Sequence, residues 1–260
     1  MTGSTSARVA TVLAAVSTLA VLAVTGVAVT AYTHRDGAPA ADGPSSTSAS
    51  PSPTESPSST APPVSEREHV FDDGQFVVGD RGDNAMFEVP SSADDWTTQS
   101  SDTVLYYLGK DGKAAVGVAG PAVFRDGYCK TADTASNRGF VGFTRSATGL
   151  AARAANEQLS ADWVAAISLN EDLKTSSPHT PVVTEEITLD DGSTAVRSTS
   201  RITVTDRTPC DAPAVDFALV SLDTGDAVAN LVMVRDAEAP DVLDDELAGQ
   251  ILGTLHRVLG

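Results

Sequence analysis

The chain has 260 residues, with 17 Lys and Arg against 35 Asp and Glu and a formal net charge of −18 at pH 7; setting aside Arg8, Arg35, Asp36, Asp42 and Glu55 leaves −17 within 66–260. So acidic a surface repels phosphate backbones and, with no basic cluster anywhere, anionic headgroups, which argues against nucleic acid and a charged lipid surface as partners. High negative charge is most simply a solubility device.

Residues 9–31, "VATVLAAVSTLAVLAVTGVAVTA", hold no charge in 23 positions. As a helix this run is about 34 Å long, enough for a hydrocarbon core of about 30 Å and longer than the apolar part of a signal peptide, about 7–15 residues. The expectation is an uncleaved membrane span, with 1–8 as a short cytoplasmic tail and the rest of the chain outside a cell membrane. A signal peptide cleaved after Ala31, in the small-residue stretch Val29-Thr30-Ala31, is the alternative. From 32 to 65 a Ser, Thr, Pro and Ala tract without apolar periodicity has too little apolar surface to offset the entropy of ordering, and reads as a disordered linker. Residues 66–84 read as an extended lead-in and 85–260 as the folded domain.

In that domain the apolar period is at first two. "AMFEVP" (85–90), "TVLYYLG" (103–109) and "AAVGVAGPAVF" (114–124) are short apolar or alternating runs bounded by Gly, Asp and Pro, so they predict strands, with "GKDG" (109–112) turning between the second and third. Residues 125–147 are rich in Gly, Ser, Thr and Asn and predict a long mobile loop with few apolar anchors. "TGLAARAANEQLSADWVAAIS" (148–168) then shows a helical period, placing Leu150, Ala154, Leu159, Trp163 and Ile167 near one face, with Thr148 as N-cap and Trp163 as core anchor.

"PVVTEEITLDDGSTAVRSTSRITVT" (181–205) and "AVDFALVSLDTGDAVANLVMVRD" (214–236) each predict two strands about a turn, "DDGS" and "DTGD". The connections are too short for crossovers, so the pairs are antiparallel. The last element, 241–258, predicts a helix with Leu243, Leu247, Ile251 and Leu255 four apart. Asp241, Asp244, Asp245 and Glu246 sit in its first turns, where the helix dipole favours negative charge, and His256 sits at the opposite end, where it favours positive charge. Together these predict one α+β domain, a twisted antiparallel sheet of about six to seven strands with two main helices packed on it.

"FEVPSSADDW", "VFRDGYC", "AANEQLSADWVAA", "TPCDAPAVDFALVSLDTGD" and "PDVLDDELAGQILGTLH" resemble a family of membrane-anchored actinobacterial proteins of unknown function, over about 85–258. That family is similar in fold to PsbP-like and LpqN-type proteins, in which a strand beginning Phe-x-Val-Pro and a closing Ile-Leu-x-Thr-Leu helix frame the sheet. Its cysteine pair matches Cys129 and Cys210. The shared residues are packing and turn residues, so the resemblance implies a PsbP-like fold and no activity. LpqN-type proteins carry a lipobox cysteine that this chain lacks, so lipid anchoring is not implied.

Cys129 and Cys210 are the chain's two cysteines. If the domain is exported they meet an oxidising compartment, where a lone pair is readily joined, and closing a loop of about 80 residues contributes on the order of 4–5 kcal/mol. Two buried free thiols are the alternative. No second cysteine pair or histidine cluster supports a metal site.

His34, His69, His179 and His256 lie in no recognisable motif, and there is no nucleophile elbow, zinc-protease helix, phosphate loop or dinucleotide fingerprint. The acidic doublets Asp72-Asp73, Asp94-Asp95, Asp190-Asp191 and Asp244-Asp245 fall at turns or a helix start, and the "RGD" at 81–83 in a turn-rich stretch. The residues therefore assign no catalytic, cofactor or metal role. Two function classes follow. One is a binding or interaction module, anchored through 9–31 and displayed at the cell envelope to an unknown envelope protein or small ligand. The other is an envelope hydrolase, which needs two carboxylates brought together in a cleft.

Overall fold

The computed structural model describes residues 69–79, 84–91, 95–130 and 135–258. Residues 1–8, the expected span 9–31, the linker 32–65 and the tripeptide at 81–83 lie outside these.

In chain order the strands before the first helix are β1 (Gly74–Val78), β2 (Ala85–Pro90), β3 (Trp96–Thr98), β4 (Val104–Leu108), β5 (Ala114–Phe124), β6 (Cys129–Lys130), β7 (Ala135–Ser136) and β8 (Gly139–Thr144). Helix α1 (Ala152–Ser168) precedes β9 (Val183–Thr188), β10 (Thr194–Thr203), β11 (Ala214–Asp223) and β12 (Val228–Ala237), and helix α2 (Asp245–Gly253) precedes β13 (His256–Arg257). The main sheet has eight strands in the order β5-β8-β12-β11-β10-β9, with β3 and β4 both on the free side of β5 and every pair antiparallel. A second sheet runs β1-β2-β13, and β6 and β7 form a two-residue ribbon. The α+β class, the two helices and the antiparallel sheet therefore stand.

Alternation of side chains along a strand explains how the layers assemble. In β12, Leu231 and Met233 join one apolar cluster while Val232 and Val234 join the other, so the sheet is buried on both faces and its central strands read as continuous apolar runs. One face is covered by α1. Trp163 is fully buried there, 6.0 Å from the Tyr107 ring, 6.3 Å from Phe140 and 6.5 Å from Phe217, and its Nε1 donates to Thr144 Oγ1 at 3.4 Å. The other face is covered by β2, through Phe87 and Val89, and by α2, through Ala248, Ile251 and Leu252.

Several expectations are corrected. The main sheet has eight strands because "GFVGFT" forms β8, wholly buried between β5 and β12 where a mobile loop was expected, and Trp96–Thr98 adds β3, while the expected strand 85–90 belongs to the second sheet. Helix α1 begins with Ala151 as N-cap and no side-chain cap, so Thr148 stands outside it. Its buried stripe is Ala155, Asn156, Leu159, Ser160, Trp163, Val164 and Ile167, and Ala154 faces solvent. Helix α2 starts at Asp245, where Asp244 Oδ1 accepts from Leu247 N at 2.8 Å, and it stops at Gly253. His256 therefore lies in a strand, paired with Met86, and is no dipole partner.

The expected localisation, a single-pass membrane protein with its C-terminal domain outside, is also corrected to what the described residues show, the segment 9–31 on which it rested lying outside them. No helix among the described residues is long and apolar enough to cross a membrane, since α1 alternates buried with exposed positions over 17 residues and α2 has nine.

Cys129 and Cys210 are joined, with Cα atoms 5.8 Å apart. The bridge ties the ribbon after β5 to the 204–213 connection between β10 and β11, and Tyr128 OH donates to Cys210 O beside it. Because β8 is core, the bridge stabilises the loops and not the strand. Cys210→Ser should lower the thermal midpoint by roughly 5–15 °C. Hydrogen exchange followed by mass spectrometry should show 125–130 and 204–213 opening first, with 139–144 still protected.

Candidate functional site

Helix α2 is too short to cover its whole face of the sheet. Beyond Ala248, Gly249 and Leu252, the strands β10, β11 and β12 leave an open groove of about 550 Å³ that reaches Val183 on β9. Thr199, Ala218 and Met233 contribute to its floor.

Strand register builds a row of charge across this groove. Arg201 lies directly opposite Asp216, and Asp216 directly opposite Arg235. Arg201 donates to both Asp216 oxygens, from Nε to Oδ1 at 2.6 Å and from Nη2 to Oδ2 at 2.9 Å, a bidentate pairing that fixes both planes. Its Nη1 also donates to Glu238 Oε1 at 3.2 Å. Arg235 Nη2 donates to Asp216 Oδ2 at 2.9 Å and to Asp245 Oδ1 at the start of α2, and its Nη1 to Leu243 O. One step towards the edge, Arg197 lies opposite Glu185 and donates to it at 3.1 Å from Nε and 2.5 Å from Nη2.

Asp216 and Asp245 thus converge on the Arg235 guanidinium, as Asp216 and Glu238 do on that of Arg201. The hydrogen bond from Arg235, and then its charge, hold the Asp245 carboxyl below the usual carboxylate range. That keeps it an anion, suited to pairing charge and ill suited to giving up a proton.

The other carboxylates have local tasks. Asp191 Oδ1 accepts from Ser193 N at 2.9 Å in the β9–β10 turn, and Asp95 Oδ1 from Arg125 Nε at 3.1 Å. Burial and then Asp191 push the Asp190 carboxyl up. His179 is exposed, with Nδ1 2.9 Å from Thr180 O. Among the described residues no group of three His, Cys, Asp or Glu could hold a metal ion.

Three buried polar groups have no counterpart in the sequence reading. Glu88, its side chain 1% exposed, lies 2.7 Å from His69 Nδ1 and accepts from Val70 N at 2.8 Å, while its own N–H donates to Thr254 Oγ1 at 2.8 Å. A Cβ at Gly74 would fall 1.4 Å from Glu88 Oε1, so glycine is needed there. Asn156 on α1 donates from Nδ2 to Val196 O, Leu219 O and Ser221 Oγ and accepts from Ser198 Oγ, pinning the helix to the sheet. Arg138 lies 4.0 Å over the Tyr128 ring and donates from Nη1 to Asp236 Oδ2 at 2.9 Å. The acidic and apolar context of Glu88 and Asp236, each inside a strand, was the only available signal for burial.

Desolvation, only partly offset by Arg138, pushes the Asp236 carboxyl up to about 6. A carboxyl with a native pKa above its unfolded value takes up a proton on folding, so its contribution to stability falls as pH rises from about 4 through 6. Between pH 4.5 and 7.5, urea unfolding should show wild type losing on the order of 2 kcal/mol relative to Asp236→Asn, which lacks this proton.

Residues 67–259 match the family of a domain of unknown function, DUF8017. No curated protein matches the chain. Among solved structures it is similar to the Saccharomyces cerevisiae Ran-binding protein Mog1p, at 13% identity over 71% of this chain and 95% of that one, with a TM-score of 0.37.

Proposed function

The chain belongs to the family of the domain of unknown function DUF8017, and from that premise and the groove's geometry we propose that it is a binding module holding an extended segment of a partner protein. The observation that carries this reading is the uncovered part of the sheet beside α2. It combines an apolar lining, including Val183 and Ala218, with charges of both signs held in place by Arg201, Asp216, Arg235 and Asp245. Fixed, mutually paired charges over apolar surface recognise a complementary pattern without paying to organise themselves on binding. The groove is open along its length and gives a small molecule little enclosure, whereas a chain lying across the strands covers apolar floor and charged row together. The hydrolase alternative requires a carboxyl able to donate a proton inside the groove; Asp245 there is held as an anion, and Asp190 and Asp236, whose carboxyls are raised, do not line it.

A photo-crosslinking residue at Thr199, in the groove, should capture the partner from the native source, while the same residue at Ala161 on the exposed side of α1 should not. Ala218→Trp, which fills the floor, should abolish capture at 199 without loss of secondary structure by circular dichroism. Equal capture at both positions, or capture insensitive to Ala218→Trp, would remove the proposal.

A further inference from the structure

The groove opens at one end onto β9, and that strand's outer edge is itself unused. β9 pairs with β10 and, among the described residues, with nothing on its other side. Its hydrogen-bonding phase follows from the hairpin. Leu189 N donates to Ser193 O at 2.9 Å, so Leu189 faces its partner strand. In an antiparallel ladder residues alternate between pointing both backbone groups at the partner and pointing both away. Val183, Glu185 and Ile187 therefore face β10, and Thr184, Glu186 and Thr188 direct their N–H and C=O groups outward.

The sheet's two edges are built differently. At the opposite edge β3 and β4 are short, and the β4–β5 register shifts between Tyr107 and Leu108, an interruption of the kind that blunts an edge against pairing. β9 runs six residues in unbroken register with no proline, and Val183 is 60% exposed. Its side chains carry the chemistry. Consecutive Glu185 and Glu186 place one carboxylate on each face of the sheet, Glu185 on the groove side beside Arg197 and Glu186 on the α1 side, where no ion pair meets it among the described residues.

We infer that the outer edge of β9 takes up a strand from a basic, extended segment of the partner protein, whose adjacent cationic side chains lie beside Glu185 and Glu186 on opposite faces. The inference rests on the binding reading above and adds a second contact to it: past the groove's open end the same segment turns along β9, where strand addition gives affinity through main-chain hydrogen bonds and the two glutamates give specificity. A second copy of this chain is the wrong occupant. Antiparallel self-pairing about Glu186 sets glutamate against glutamate, between domains that each carry a large negative charge.

The test uses the full chain and two fluorescein-labelled synthetic peptides, TVRKVT and its acidic counterpart TVEEVT, by fluorescence anisotropy. TVRKVT should bind saturably and about tenfold or more tightly than TVEEVT, with the preference shrinking as salt rises. Glu186→Pro removes an outward N–H while leaving the β10 ladder intact, and should abolish binding at an unchanged thermal midpoint. Glu185→Lys combined with Glu186→Lys should invert the peptide preference. Equal binding of both peptides, binding that survives Glu186→Pro, or self-association in sedimentation that Glu186→Pro abolishes would each overturn the inference. Capture at Thr199 without TVRKVT binding would leave the groove reading standing and remove this one alone.

Discussion

The structure depends on one constraint: the central strands β8, β11 and β12 are apolar on both sides, so each face of the sheet must have its own cover. α1 supplies one with 17 residues, about 25 Å of helix. The other is assembled from two smaller pieces, the β1-β2-β13 sheet and a nine-residue α2 of about 14 Å. These covers are unequal, and the composition of the strands follows them. On the face under α1, even β10, next to the edge strand, keeps Val196 and Ile202 buried, whereas its opposite face changes from Ala195 to Arg197, Thr199 and Arg201 as the cover runs out. The charged row is what the sheet presents where the cover thins, with Arg201 half exposed and Asp216 and Arg235 mostly buried, and Arg235 joins that row to the first turn of α2.

Two buried polar groups decide how the covers sit. Apolar contact sets distance well and rotation poorly, because many rotations bury similar area. Asn156 removes that freedom for α1, since its amide reaches backbone carbonyls of both β10 and β11 and an unmet amide there would be costly. Glu88 does the same for the smaller cover. Its carboxylate gathers His69 and Val70, its backbone N–H engages Thr254 at the end of α2, and the space it fills exists because Gly74 has no side chain.

How much of this was legible in the sequence varied by element. The β9–β10 and β11–β12 hairpins were readable because "DDGS" and "DTGD" mark their turns, and a short turn sets register: from it alone Asp216 falls opposite Arg235 and Glu185 opposite Arg197. The Arg201–Asp216 pair was not, because β10 and β11 are joined by the long 204–213 connection, whose length leaves register open. β8 was hidden because Gly139 and Gly142 thin an otherwise apolar run set in a polar stretch. The glycine at 142 is a packing requirement, since a Cβ there would press on Pro121 and Val118. The overlong reading of the final helix came from leucines that keep a spacing of four through Leu255, although the helix stops at Gly253 and Leu255 is buried from the short link before β13. Asp245 was correctly read as a residue of the first turn, yet its partner, Arg235, lies on another element that local periodicity does not reveal.

The disulfide changes what it means to cut this molecule. Residues 129 and 210 close a covalent ring containing β8, α1, β9 and β10, with the rest of the domain attached as two arms. A single nick at an exposed turn inside the ring, such as 190–193, opens the ring without dividing the protein, and the pieces part only on reduction. The same nick in an arm, at the 223–227 turn, releases β12 and α2 from covalent attachment, leaving them held by packing alone. The face bearing the groove is shared between the two regions: Arg197 and Arg201 belong to the ring and Asp216, Arg235 and Asp245 to the arm that follows it. Its integrity is therefore a readout of whether both topological parts of the chain remain assembled.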